Sequence, residues 1–189
     1  EDVRPVDSAE TQQTYIHLLR AATGAATDDT TYAQALERAG VFAPDDQSYP
    51  AWHFRGNTLS HRAWVQIDEV RAKLRRQWET FFEQHDLLIC PTATTPAFER
   101  NERGDRWERL IPVNGKEQPT TDALFWAGYP GLVGLPATAV PLALTPQGLP
   151  VGAQIIGPAF ADPDVLRFAQ WLEREYRAFV PPPMAAARS

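Results

Sequence analysis

Apolar positions in the first eighty residues recur at intervals of three and four, the spacing of one face of a helix. Thr11 to Ala22 carries Tyr15, Ile16, Leu18 and Leu19 in this pattern and stops near Gly24. Asp28 or Asp29 caps a shorter helix through Tyr32, Ala35 and Leu36, which Gly40 closes. A loop containing Pro44, Asp45, Asp46 and Pro50 follows. Ser60 then opens the longest periodic stretch, with Trp64, Ile67, Val70, Leu74, Trp78 and Phe81 on one stripe and Arg62, Asp68, Glu69, Arg71, Lys73, Arg75 and Arg76 around it. The stripe predicts a helix of about 24 residues, roughly 36 Å long.

The second half is patterned differently. Three prolines precede residue 90 and fourteen follow it, so helices should dominate early, and strands, turns and extended segments late. Leu87-Leu88-Ile89-Cys90 is apolar throughout and stopped by Pro91, which suits a central strand covered on both faces. Glu99 to Arg109 is mostly charged and reads as an exposed loop. Ala137 to Leu144 and Val151 to Ile156 are two more strands, joined by Thr145-Pro146-Gln147-Gly148-Leu149-Pro150 into an antiparallel hairpin with a longish loop. Asp162-Pro163 is a cap followed by proline at the first helical position, and the helix it opens carries Val165, Leu166, Phe168, Ala169, Leu172 and Tyr176 up to Pro181.

The 189 residues carry a net charge of −6, which argues against a non-specific nucleic-acid binder. No apolar run is long enough for a membrane span, and the single cysteine, Cys90, excludes an internal disulfide. A cytoplasmic protein without nucleic-acid or membrane partners is expected. His17, His53, His61 and His85 are scattered, with no spacing that makes a metal site, although His53 and His61 could meet across a loop. No metal and no cofactor is expected. Cys90 reads as a structural thiol, because no neighbouring cation would lower its pKa. None of the serines Ser8, Ser48, Ser60 and Ser189 has a glycine neighbour, as a nucleophile on a tight turn would; Ser60 looks like a helix cap. The only lysines are Lys73 and Lys116. What remains is Phe125-Trp126-Ala127-Gly128-Tyr129-Pro130-Gly131, whose rings suit either a pocket wall or ordinary core packing.

Three segments resemble the C-terminal part of amidase signature enzymes, in the same order and spacing. They are Asp86-Leu87-Leu88-Ile89-Cys90-Pro91-Thr92 with Thr95-Pro96-Ala97, then Gly134-Leu135-Pro136-Ala137-Thr138-Ala139-Val140-Pro141, then Gly148-Leu149-Pro150-Val151-Gly152-Ala153-Gln154-Ile155-Ile156-Gly157. The segments Ile111-Pro112-Val113-Asn114-Gly115-Lys116 and Phe125-Trp126-Ala127-Gly128 resemble a branch of bacterial and fungal amidases. Many members have Asn where this chain has Gly131. The resemblance runs from residue 59 to about 180, leaving a helical and loop segment at 1–58 and a tail at 181–189.

That resemblance implies an α/β fold, a mixed β-sheet covered by helices, with the first half of this chain mainly helical. It implies hydrolysis of carboxylic amides to an acid and an amine or ammonia by a Ser–cis-Ser–Lys group, in which lysine relays a proton through the bridging serine to the nucleophile. All three belong to the family's N-terminal half, on a Gly/Ser-rich stretch and an upstream lysine. Neither Lys73 nor Lys116 has that context, so no catalytic residue is assigned. Phe125, Trp126, Tyr129 and Leu132 are the candidates for lining the substrate pocket. The chain opens on Glu1 and its only methionine is Met184; it is expected to be the C-terminal portion of a longer enzyme and inactive by itself. Its expected partners are the N-terminal half of that enzyme, or another chain completing the sheet, and a small-molecule amide, with a homodimer also allowed. The alternative is a non-catalytic amidase-like module that binds a small ligand or completes a partner protein.

Overall fold

The computed structural model describes residues 3–181. The expected tail 181–189, apart from Pro181, lies outside the described residues, as do Met184 and Ser189. Four helices come first: α1 (Ser8–Gly24), α2 (Asp29–Val41), α3 (Tyr49–Asn57) and α4 (His61–Phe82). Each begins on a side-chain cap that accepts from an otherwise unpaired backbone N–H. Asp7 accepts from Glu10, Asp28 from Thr31, Ser48 from Ala51 and Ser60 from Ala63. Helix α3 occupies part of the expected loop. Pro50 reads as a breaker in sequence, yet it sits in the first turn, where its missing N–H would have had no partner. The α4 stripe folds as its spacing predicts: Leu74 and Trp78 are fully buried, flanked by Trp64, Ile67, Val70 and Phe81.

The remaining elements are β1 (Leu88–Pro91), β2 (Leu110–Val113), β3 (Lys116–Pro119), α5 (Leu124–Gly131), β4 (Ala137–Leu144), β5 (Pro150–Ile156) and α6 (Asp162–Glu175). β2 and β3 form a separate hairpin over the turn Asn114-Gly115, both with positive φ, 51° and 77°. That left-handed pair is the tight-turn geometry that Asn-Gly favours. β4 and β5 form the expected antiparallel hairpin, with a bulge between Pro141 and Ala143.

The main sheet has the order β1-β5-β4, and every pairing in it is antiparallel. Among the described residues β1 therefore pairs on one edge only, with β5, where its composition predicts a central strand. Apolarity on both faces reports what covers the faces, not what pairs with the edges. Leu88, Cys90 and Ile156 meet Leu74, Trp78, Tyr129 and Leu132 on one side. On the other, Val140, Ala153 and Ile155 meet Val165, Phe168 and Leu172 of α6, together with Leu87. The result is an α/β architecture with helices on both sides of the sheet.

Two further details differ from the sequence reading. Asp162 is the first residue of α6 and not its cap; the cap is Ala161, with no side-chain bond. The helix ends at Glu175, well short of Pro181. No helix among the described residues is long and apolar enough to cross a membrane.

Helix α5 reaches α1 only because residue 128 has no side chain. A Cβ on Gly128 would stand 2.4 Å from the Tyr15 ring, whereas one on Gly131 would meet open space. Gly128→Ala should cost about 1–3 kcal/mol in denaturant unfolding, the usual penalty of overpacking. Gly131→Ala should change stability little, and equal effects of the two would contradict this packing.

Candidate functional site

Residues 120–123 form a single 3₁₀ turn that leads directly into α5. The helix presents three rings in mutual contact: Phe125 to Trp126 at 5.0 Å, Phe125 to Tyr129 at 5.1 Å and Trp126 to Tyr129 at 5.9 Å between centroids. Tyr129 also meets Trp78 edge-on at 5.0 Å. The four residues picked from the sequence thus come together, but at different depths. Tyr129 and Leu132 are buried in the main core, while Phe125 and Trp126 are half-buried against it. Surface cavities of about 350–760 Å³ open elsewhere on the chain, and their linings include none of these four residues.

Beside α5 lies the end of β1. Gln154 of β5 is 8% exposed, and its amide nitrogen donates to the Pro91 carbonyl at 3.0 Å and to the Trp126 carbonyl at 2.8 Å. It is the one polar side chain in the run from Val151 to Ile156. An isolated polar residue in an apolar strand is the sequence signal for it, and reading the strand only by its hydrophobic pattern passes over it. Beyond Pro91, residues 92–97 line a cavity of about 600 Å³ with Leu142, Val151 and Gly152. In it Thr94 keeps a buried hydroxyl without a hydrogen-bond partner.

The titratable groups here are held in their neutral forms. Burial pushes the Cys90 thiol up to about 11, against a smaller opposing effect from Gln154. Burial likewise pushes the Tyr129 phenol up to about 12, with Cys90 adding to the shift and Arg4 opposing it. Neither supplies a nucleophile or base at neutral pH. The serines among the described residues offer none either: Ser48 and Ser60 are spent as caps, and Ser8 opens α1. Lys73 and Lys116 are exposed. No group of three or more His, Cys, Asp or Glu that could hold a metal occurs among the described residues. His53 lies under Trp107 and Tyr49 with its Nε2 3.2 Å from the Asn57 amide nitrogen. The chemistry on view is apolar rings, fixed carbonyls and little charge.

The family model for Amidase matches residues 12–166. The chain belongs to the amidase family. Its match reaches back through α1, before the segment that carries the sequence motifs. Among amidase relatives, the matching subunit of mitochondrial glutamyl-tRNA(Gln) amidotransferase from Mus musculus is 34% identical over 113 residues, covering 59% of this chain and 20% of that protein. The corresponding glutamyl-tRNA(Gln) amidotransferase subunit of Myxococcus xanthus is 32% identical over 116 residues, covering 61% of this chain and 22% of that protein. The chain thus spans about a fifth of the length of the curated relatives it matches. Among solved structures, a bacterial aryl acylamidase of the amidase signature family superposes with a TM-score of 0.63 at 22% identity, over 94% of this chain and 38% of that one. A protein from a vestigial complex linked to the origins of an s-triazine catabolic enzyme gives 0.66 at 20% identity, over 95% and 37%. At such identities the likeness establishes the amidase signature fold.

The suppressed charges have two measurable consequences. Cys90 in the folded chain should alkylate about 100-fold more slowly at pH 7.5 than in urea, because the thiolate fraction falls with each unit of pKa; comparable iodoacetamide rates would contradict its environment. His53 is lowered to about 4, by burial first and then by Arg20 and Arg106, and His17 is lowered chiefly by burial. The unfolded chain takes up these protons near pH 6.5 and the folded chain only at lower pH. Stability should therefore fall as pH drops from about 6.5 toward 4, and His53→Gln should flatten part of that slope in denaturant titrations.

Proposed function

We propose that this chain is the C-terminal part of an amidase signature hydrolase that cleaves a small carboxylic amide to an acid and an amine or ammonia. In this reading residues 59–180 form the part resembling the family's C-terminal region, and the Ser–cis-Ser–Lys group stands on chain outside these 189 residues. Phe125, Trp126, Tyr129 and Leu132 belong to the acyl-pocket wall. The observation that carries the proposal is the surface. The chain exposes 12494 Å², whereas a self-contained protein of 21.1 kDa would expose about 9,000 Å². The excess includes apolar groups such as Ile89 on β1, Leu144 on β4 and Trp171 on α6. β1 and β4 each keep one edge without a strand partner among the described residues, and bare edges are usually paired or blunted. The partner is the N-terminal half of the same enzyme, and the cytoplasm is the expected setting.

A second reading, an amidase-like module without catalysis, has one observation in its favour. Two hydrophobic clusters are assembled within this chain alone. Such a module would bind a small ligand or complete a partner protein; the amidotransferase relatives are themselves subunits. It would melt cooperatively as a monomer and gain no activity from any N-terminal piece.

The chain alone should not hydrolyse 4-nitroacetanilide above the buffer rate. Co-expressed with the N-terminal half of an amidase signature enzyme encoded upstream, it should do so. Turnover by the chain alone would overturn the location of the nucleophile. A stop codon directly upstream of the Glu1 codon, with no Gly/Ser-rich segment and lysine before it, would overturn the proposal.

A further inference from the structure

Helix α5 contains a proline at its seventh residue, Pro130. In an α-helix the carbonyl of residue i accepts from the N–H of residue i+4, so Pro130 is the residue that should serve the Trp126 carbonyl. Proline has no N–H to give. The Trp126 carbonyl therefore points out of a half-buried helix without its ladder donor. The Gln154 amide nitrogen stands 2.8 Å from it, and 3.0 Å from the Pro91 carbonyl at the end of β1.

We propose that Gln154 supplies the donor that Pro130 removes, and thereby sets where the aromatic residues of α5 stand relative to the end of β1. Both partners are carbonyls and can only accept, so the NH₂ end of the amide must face them and both its hydrogens are used. The backbone around it is firmly held, since β5 is paired on both sides, opposite Cys90 in β1 and Ala139 in β4. A fixed strand thus holds the helix at the carbonyl of one pocket candidate, Trp126, one residue from Phe125 and three from Tyr129. Leu at 154 would offer no donor, Glu would turn a carboxylate against two carbonyls, and Asn would be one methylene short. Gln154 is a positioning residue. Its link to catalysis rests on the reading of α5 as a pocket wall; its link to Pro130 does not.

The two parts separate in one experiment on four proteins, each assembled with the N-terminal half: the parent, Gln154→Leu, Pro130→Ala and the double variant. Alanine at 130 returns the N–H to the Trp126 carbonyl. Gln154→Leu should lower the thermal midpoint of the parent by roughly 4–8 °C, the shift expected for two buried acceptors left unpaired. In the Pro130→Ala background the same change should cost about half as much, because only the Pro91 carbonyl loses its donor. Equal losses in both backgrounds overturn the proposal. Where Gln154→Leu does not fold in the parent, folding of the double variant is the expected compensation, and failure of both overturns it. Hydrolysis of 4-nitroacetanilide by the same four assemblies gives the second readout. Gln154→Leu should raise KM several-fold with kcat little changed, and the double variant should recover much of it; a loss of folded protein alone would lower kcat and leave KM in place. Compensating midpoints with KM unchanged throughout overturn the reading of α5 as a pocket wall instead.

Discussion

The pairing of β5 with strands on both of its edges is the constraint on which the second half of the molecule depends. β1 and β4 do not pair with one another; each is placed by hydrogen bonds to β5. Because side chains alternate across a strand, consecutive residues of β5 feed different layers. Ile155, fully buried, joins Val165 and Phe168 beneath α6, while Ile156, also fully buried, joins Trp78 and Tyr129 beneath α4 and α5. A slip of one residue in register would exchange these two sets and strand Gln154 on the α6 side. The Pro136 carbonyl, which accepts from Gly157 at 3.1 Å, closes the hairpin where the two layers meet.

Much of this is legible from spacing alone. The α4 stripe, the β4–β5 hairpin and the caps at Asp28 and Ser60 are visible because each depends on residues close together in sequence. The differences share a cause as well. Proline at Pro50 and through most of the second half reads as a breaker, although its cost depends on which N–H the fold requires. At Pro50 none is required, so α3 forms. At Pro130 one is required, and a residue twenty-four positions later provides it. The second case is invisible to local rules, because the compensating donor is on another element. Asn114-Gly115 is the opposite case: a strong local hairpin signal flanked by strands of only four residues each, too short to show a period.

The candidate site is legible in kind more than in place. Phe125, Trp126, Tyr129 and Leu132 do gather on and just after one short helix. Their division into two buried and two half-buried side chains follows from α5 packing against Trp78 and Tyr15, contacts made across about fifty residues of chain or more. The pairing of β1 with β5 escapes the sequence for a related reason. An apolar run shows that two layers cover a strand, but edge pairing is a property of the whole sheet.

Burial sets the direction of the electrostatics in the interior. Among the described residues every shifted group in the folded interior moves toward its uncharged form: the Cys90 thiol and the Tyr15 and Tyr129 phenols up, the His17 and His53 imidazoles down, the Asp122 carboxyl up, each chiefly by burial. The carboxylates that shift the other way, Asp28 and Asp46, are exposed and hydrogen-bonded to Thr31 and Ser48. Nucleophile activation needs the reverse, a group whose charged form is favoured or a base poised to take its proton. An interior that suppresses charge is suited to hold an uncharged amide and to exclude water around it. On the proposed reading the proton-transfer group comes from outside these residues, and this chain supplies position: rings on α5 and one amide, Gln154, holding them to the sheet.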